Sequence, residues 1–421
     1  MFLLFKFLLF IGYLAGSIPT AISDLLFKKS QQNVTISGIN KTYAKPVVAH
    51  VFIHGTRLPG FIFLDPQAAF KHRITDDGSY VKTLTKIRSD ERFFEEQVIL
   101  EEGLQEIPEG LINYCRNHGL CEHLRKRAAI HVISAYDSFI NKNQQIPRYY
   151  TYGWIGVLDD GYRQRDARVL YQALVNLRNQ LKKEYPHNTV RFVLHGHSHG
   201  GNVILYLGKY EEMYKQKLVV DHAILYGTPI QQETVAYCLH PMFNKIAIFY
   251  SYADKVQIAD KFSTKSKTSC RRFSDLMSFS NNNHIQEVCV CAQGSSKAFG
   301  HASYFYLDEY TISRAKRGVR PYHHVYNLMN PLPVVAFTPP CMQLLNTVQA
   351  QEPTNNHFTL NFETHNKNFS IMACGTHSAA ISKDIAQQTH QLTQQLEKGW
   401  RPYIHFNYPN KTLWMLKAVQ R

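Results

Sequence analysis

Acidic side chains are the scarce class in this chain: 32 Asp and Glu stand against 47 Lys and Arg, leaving a formal net charge of +15. Such an excess favours contact with anionic partners or simply sets solubility. No dense basic run accompanies it, the one close cluster being Arg314, Lys316, Arg317 and Arg320, so no nucleic-acid partner is expected. Cysteine is sparse as well. The eight (Cys115, Cys121, Cys238, Cys270, Cys289, Cys291, Cys341, Cys374) are too few for a disulfide scaffold, and no C-x-x-C pair suggests zinc. Cys289 and Cys291 lie two apart in an apolar run, so on a strand they share a face, as core thiols rather than a bridge. Beyond the first residues there is no long apolar run, and the mean hydropathy of −0.29 argues against a polytopic membrane protein. Internal repeats and low-complexity tracts are missing too. Core-forming residues are not scarce: 25 Tyr, 25 Phe and 44% hydrophobic residues over 421 positions exclude disorder for the bulk of the chain.

The N-terminal run Met1 to Gly16 reads MFLLFKFLLFIGYLAG, with Lys6 its single charge. It is too short to span a bilayer comfortably but has the length of a signal-peptide core. Ala21 and Ser23 offer a small-residue cleavage position before Asp24. The weak positive n-region leaves an uncleaved anchor as the alternative, and a buried helix as the third reading. Residues 1–23 are therefore expected to be a signal peptide or N-terminal anchor. The chain is then non-cytoplasmic (secreted or periplasmic) or membrane-anchored. Asn33, Asn40, Asn368 and Asn410 head N-x-S/T sequons, which matter only in a glycosylating host.

Val47 to Ile53 is a β-branched apolar run ending at His54-Gly55, which predicts a strand and a turn. Helical stretches are expected near Glu91 to Glu102 and Cys115 to Ala129, and a strand over Arg148 to Gly156. An amphipathic helix follows, with Ala167, Leu170, Tyr171, Leu174, Leu177 and Leu181 at three- and four-residue steps up to the break at Pro186. Strands are predicted at Val190 to His195, Leu218 to Tyr226, Lys245 to Ser251 and Ile285 to Ala292, with a helix over Gly200 to Tyr210. Strand alternating with helix predicts an α/β fold, a mostly parallel sheet with helices on both faces. Farther on, His357 to Thr364 and Asn368 to Ala373 predict a β-hairpin, and Ala379 to Leu396 a Gln-rich helix.

The chemistry concentrates in Arg191 to Leu207, RFVLHGHSHGGNVILYL. Gly196-His197-Ser198-His199-Gly200 fits G-x-S-x-G between an apolar strand and an apolar helix. A turn that sharp imposes strained angles on its central residue, and side chains two positions away on either side would collide, hence the glycines. The serine is thereby lifted above the sheet, and the following helix points free N–H groups at a developing oxyanion. The rival reading is metal, because His195, His197 and His199 form H-x-H-x-H. It leaves Ser198 and the paired glycines unexplained, and His195 at a strand's end reads most simply as a hydrogen-bonded core residue. No metal and no cofactor are expected.

With that elbow the chain resembles the α/β-hydrolase superfamily, in its lipase and serine-esterase-like branch, over roughly Val47 to Tyr310. The resemblance implies the order nucleophile, acid, histidine. Ser198 is then the catalytic nucleophile. Asp254, after the strand Lys245 to Tyr252, is the acid, with Asp221 and Asp260 as rivals. His301 in Gly300-His301-Ala302-Ser303 is the favoured base, because it needs no further insertion. His377 in Gly375-Thr376-His377-Ser378 is the alternative, since a catalytic histidine often heads a terminal helix in this family. The oxyanion hole would take backbone N–H groups from His199 and, after the first strand, from Thr56, with Arg57 close behind. The implied domain runs from residue 24 to 313 with a lid-like insertion at 58–145, followed by a C-terminal extension or small second domain at 314–421. An apolar roof, an export leader and a basic surface together lean toward carboxylic esters, lipid or other acyl esters, and toward association with a membrane surface. A thioesterase or acyltransferase on the same triad is one alternative. A non-catalytic secreted binding protein on a hydrolase scaffold is the other.

Overall fold

The computed structural model describes residues 44–56, 103–118, 128–278, 284–293 and 334–392, apart from positions 155, 157, 255, 261–262, 265, 366–367, 376 and 389–390. The leader 1–23, the segment Glu91 to Glu102, Arg57 and His301 lie outside the described residues.

The strands are β1 (Val47–Ile53), β2 (Gly103–Ile107), β3 (Ile146–Gly153), β4 (Val190–His197), β5 (His222–Tyr226), β6 (Ile230–Gln231), β7 (Ile246–Tyr250), β8 (Ser269–Cys270), β9 (Ile285–Gln293), β10 (His357–His365), β11 (Asn368–Cys374) and β12 (Ser378–Ala380). The helices are α1 (Glu109–His118), α2 (Ala128–Ser138), α3 (Asp160–Glu184), α4 (His199–Leu205), α5 (Leu207–Tyr214), α6 (Gln232–Val235), α7 (Val256–Ala259) and α8 (Thr338–Gln351). Ten strands form one sheet in the order β12-β11-β10-β9-β7-β5-β4-β1-β3-β2, and β6 pairs with β8 apart from it. The pairs from β3 through to β10 are parallel, while β2 joins β3 and β11 joins β10 antiparallel. Among the described residues no helix is long and apolar enough to cross a membrane.

Side-chain alternation along β1 divides the core into two layers, as expected where both faces of a parallel sheet are covered. Val47, Ala49, Val51 and Ile53 pack with α3, α4 and α5, whose Leu170, Leu174, Ile204 and Leu207 are buried. On the other face Phe52 packs with Ile133 and Tyr136 of α2, with Val334–Phe337, and with Leu345 of α8. The six apolar positions of the α3 stripe are all buried. Asp159 caps that helix by accepting from the Tyr162 amide at 3.1 Å.

Several sequence expectations move. The helix expected over Cys115 to Ala129 is instead the end of α1 and the start of α2, with 119–127 outside the described residues. Within the stretch read as lid-like, Gly103–Ile107 is an edge strand of the main sheet, and Ile112 and Val132 belong to its core. The strand expected from Leu218 begins at His222, and Ala379 and Ala380, expected to open a helix, lie instead in the strand Ser378–Ala380. The C-terminal hairpin extends the sheet, because β10 pairs with β9 from His357↔Glu287 to Glu363↔Gln293. The strands of residues 357–380 thus continue the main sheet. Cys289 and Cys291 stand on one face of β9 as free thiols, their sulfurs 3.6 Å apart.

β1 lies between β3 and β4, so the chain passes from one side of β1 to the other between those strands. In open α/β sheets, ligands gather at such a reversal, outside the C-terminal ends of the strands. Here those ends are His54-Gly55 after β1 and His197-Ser198 after β4, in register through Ile53↔Gly196.

Candidate active site

Ser198 occupies the turn between β4 and α4 with φ 51° and ψ −129°. An L residue rarely adopts a positive φ, and holding one there costs about 1–3 kcal/mol. The turn is fixed from both sides: the Ser198 amide donates to the Tyr226 carbonyl at 2.9 Å, and the Gly201 amide donates to the Ser198 carbonyl at 3.0 Å. Serine before a helix ordinarily caps it, but the Ser198 side chain makes no capping bond.

The neighbouring glycines are required by close approach. A Cβ on Gly196 would stand 2.7 Å from the Gly201 nitrogen, and one on Gly200 would stand 2.4 Å from the His54 carbonyl oxygen. On Gly201 it would meet the Thr228 hydroxyl at 2.1 Å. Gly55 is confined too, its Cβ position lying 2.7 Å from the Ser198 Cβ. The backbone leaving β1 therefore runs directly against the elbow, with Thr56 next in the chain. A Trp154 clamp holds this exit: its indole N–H donates to the His54 carbonyl at 2.7 Å, and its ring stacks on the His54 imidazole at 5.6 Å.

Asp254 follows β7, two strand positions from β4, and is buried. Its Oδ1 accepts from the amides of Val256 at 3.0 Å and Gln257 at 3.3 Å, which caps α7. The Arg271 guanidinium donates to the carbonyls of Ser251, Tyr252 and Asp254, each at 3.0 Å, clamping the loop that carries the carboxylate. The rival Asp221 sits just before β5. There it accepts from the Phe192 amide at 3.2 Å and faces Arg191, and burial raises its pKa. It lies at the beginning of the strands, away from Ser198.

Asp260, the other rival, accepts from His199 Nε2 at 2.9 Å. The three histidines of H-x-H-x-H do not converge. His195 is bonded to the Tyr226 hydroxyl at 2.9 Å and stacks on Phe52, beneath the sheet. His199 points to Asp260. Among the described residues no group of His, Cys, Asp and Glu is placed to hold a metal ion.

His377 is not brought to Ser198. It sits in the β11–β12 turn with Nδ1 3.0 Å from Glu352 Oε1. β11 is five strand positions from β4. At about 4.8 Å per strand, that separation is on the order of 20 Å. His301 follows β9, the strand beside β7, and lies outside the described residues. The structure thus packs Gly55 against Ser198 and places Ser198, the His199 backbone, Gly55-Thr56 and Asp254 at the C-terminal ends of the parallel strands. Trp154, Arg271 and the His199–Asp260 contact carry no local signal in the sequence, because each is a contact between distant segments.

No family model matches the chain, and no curated protein matches it. Among solved structures it is similar to EstE1, a thermophilic and thermostable carboxylesterase cloned from a metagenomic library, at 6% identity and a TM-score of 0.25, over 85% of this chain and 81% of that one.

Proposed function

We propose that the chain is a serine hydrolase of the α/β-hydrolase type, which cleaves carboxylic esters of lipid or other acyl groups through an acyl-enzyme. Ser198 attacks the ester carbonyl while His301, oriented by Asp254, takes its proton. The tetrahedral oxyanion rests on the amides of His199 and Thr56. Collapse expels the alcohol, which receives the proton from His301. Water then attacks the acyl-serine by the same route, releasing the acid and restoring Ser198. The chain's own groups supply every proton transfer in this sequence. In the same proposal the apolar leader takes the reaction outside the cytoplasm or to a membrane surface.

The observation that carries the reading is the Ser198 backbone at φ 51°, with a hydroxyl that is not used to cap the helix it precedes. Strain of this kind persists only where the surroundings enforce it, and it clusters at functional sites. A serine with a purely structural role has no need of it. Labelling with an alkyl fluorophosphonate tests the reading: one label per chain is expected on the wild type and none on Ser198→Ala. Equal labelling of both proteins overturns it.

A further inference from the structure

We propose that Asp260, acting through His199, is a positioning residue that sets the oxyanion amide beside Ser198. This rests on the reading of Ser198 as nucleophile and adds to it a residue outside the proposed triad. His199 is the first residue of α4, and its amide is the proposed oxyanion donor. Its imidazole is buried and held at both nitrogens, with Nε2 2.9 Å from Asp260 Oδ2 and Nδ1 3.3 Å from Asn202 Nδ2.

Those partners are themselves fixed. Asp260 accepts from the Ser263 hydroxyl at 2.6 Å and from Gln231 Nε2 at 2.9 Å. Asn202 donates to the Pro229 carbonyl at 2.9 Å and accepts from the Thr234 hydroxyl at 2.7 Å. The wholly buried Arg163 closes the cage, donating to the Ser263 carbonyl at 2.8 Å and to Gln231 Oε1 at 3.2 Å. Burial pushes the Asp260 carboxyl up, but attraction and hydrogen bonding from His199, with help from Ser263 and Arg163, outweigh it and hold the group below the usual carboxylate range.

Burying a carboxylate and a guanidinium together is costly, and an apolar core of equal volume is often as stable or more so. Stability alone therefore does not call for this cage. Geometry does: an oxyanion donor must be held to within about 0.5 Å, and here it belongs to a residue next to a strained turn. The pair is not the acid–base couple of the reaction, because both ring nitrogens of His199 face partners other than Ser198. It fixes the ring, and through the ring the amide.

The test uses the full chain, with p-nitrophenyl acetate as substrate and an alkyl boronic acid as analogue of the tetrahedral intermediate. Asp260→Asn should lower kcat by about 10- to 100-fold and weaken boronic acid binding in proportion, with KM within about twofold. His199→Gln, whose side-chain amide can still donate to Asp260, should retain more kcat than His199→Leu. Should Asp260→Asn fail to fold, Ser263→Ala removes one support of Asp260 and should still reduce kcat without moving KM. Unchanged kcat and boronic acid affinity in a folded Asp260→Asn or in Ser263→Ala overturn the proposal. A wild type that hydrolyses the ester and takes the phosphonate label while these variants match it rejects the brace alone. A wild type that does neither rejects the serine hydrolase reading and the brace with it.

Discussion

Gly55 and Ser198 face each other so closely that a Cβ on the glycine would stand 2.7 Å from the serine Cβ and 2.9 Å from His197 Nδ1. The exit of β1 is thus packed on the turn that ends β4. Gly55→Ala should cost about 1–3 kcal/mol in urea unfolding by overpacking. It should also cut kcat/KM on a short acyl ester by at least about 100-fold, since Thr56 must shift with it. Wild-type kinetics in Gly55→Ala would contradict this packing.

Strain at Ser198 makes a stability prediction that activity alone does not. Glycine accepts φ 51° without penalty, whereas alanine does not. Ser198→Gly should therefore be more stable than Ser198→Ala by about 1 kcal/mol or more, in spite of glycine's larger unfolded-state entropy. Both variants should be inactive. Urea unfolding of the two side by side decides it, and a less stable Ser198→Gly would remove the strain from the account.

The base is open to direct measurement. His301→Ala should lose several orders of magnitude in kcat, whereas His377→Ala should keep most of it, because His377 is held by Glu352 five strands from β4. Loss of turnover in His377→Ala with near-normal turnover in His301→Ala would move the base to the C-terminal extension.

Stability should fall on the acid side of neutrality. Burial, with repulsion from His222, lowers the His50 pKa to about 3. Burial, with repulsion from Lys245 and Arg191, lowers that of His222 to about 4. His195 is lowered in the same way by burial and by its neighbours His50 and His222. Each stays neutral in the fold, while in the unfolded chain it takes a proton near pH 6.5. Below that value the unfolded state binds more protons, so the stability these groups contribute is complete above pH 6.5 and is lost as pH falls toward 4. At pH 5 the loss is about 2 kcal/mol for each of His50 and His222. Urea unfolding at pH 7.5 and pH 5 should show it, and His50→Gln should reduce the difference. A flat profile across that interval would argue against neutral buried histidines.

The strand Val47–Ile53, the α3 stripe and the parallel succession β4, β5, β7, β9 were legible because each is written in a local period, two for a strand and near 3.6 for a helix. The elbow was legible for a related reason: a strand, two spaced glycines and a helix specify a backbone turn within a dozen residues. The helix boundaries between 109 and 138 were not, because the apolar positions there serve a layer completed by Val334, Val335 and Phe337, far along the chain. Nor was the antiparallel edge strand Gly103–Ile107, whose partner is chosen by the free edge of β3 rather than by its own pattern.

What the sequence by itself determined is the strand–turn–helix at Ser198, since Gly196 is confined by Gly201 and Ile204 of the same turn and helix, whereas Gly200 is confined by the distant exit of β1 at His54. What only the tertiary structure decided is which distant groups meet there. Asp254 is the favoured acid in the sequence and Asp260 a rival, each a carboxylate shortly after the same strand. The fold separates them. Asp254 stays at the end of β7 under the Arg271 clamp, while α7 carries Asp260 onward to His199. That division depends on where a short helix and a loop direct two side chains in space, and nothing in the spacing of the residues encodes such a direction.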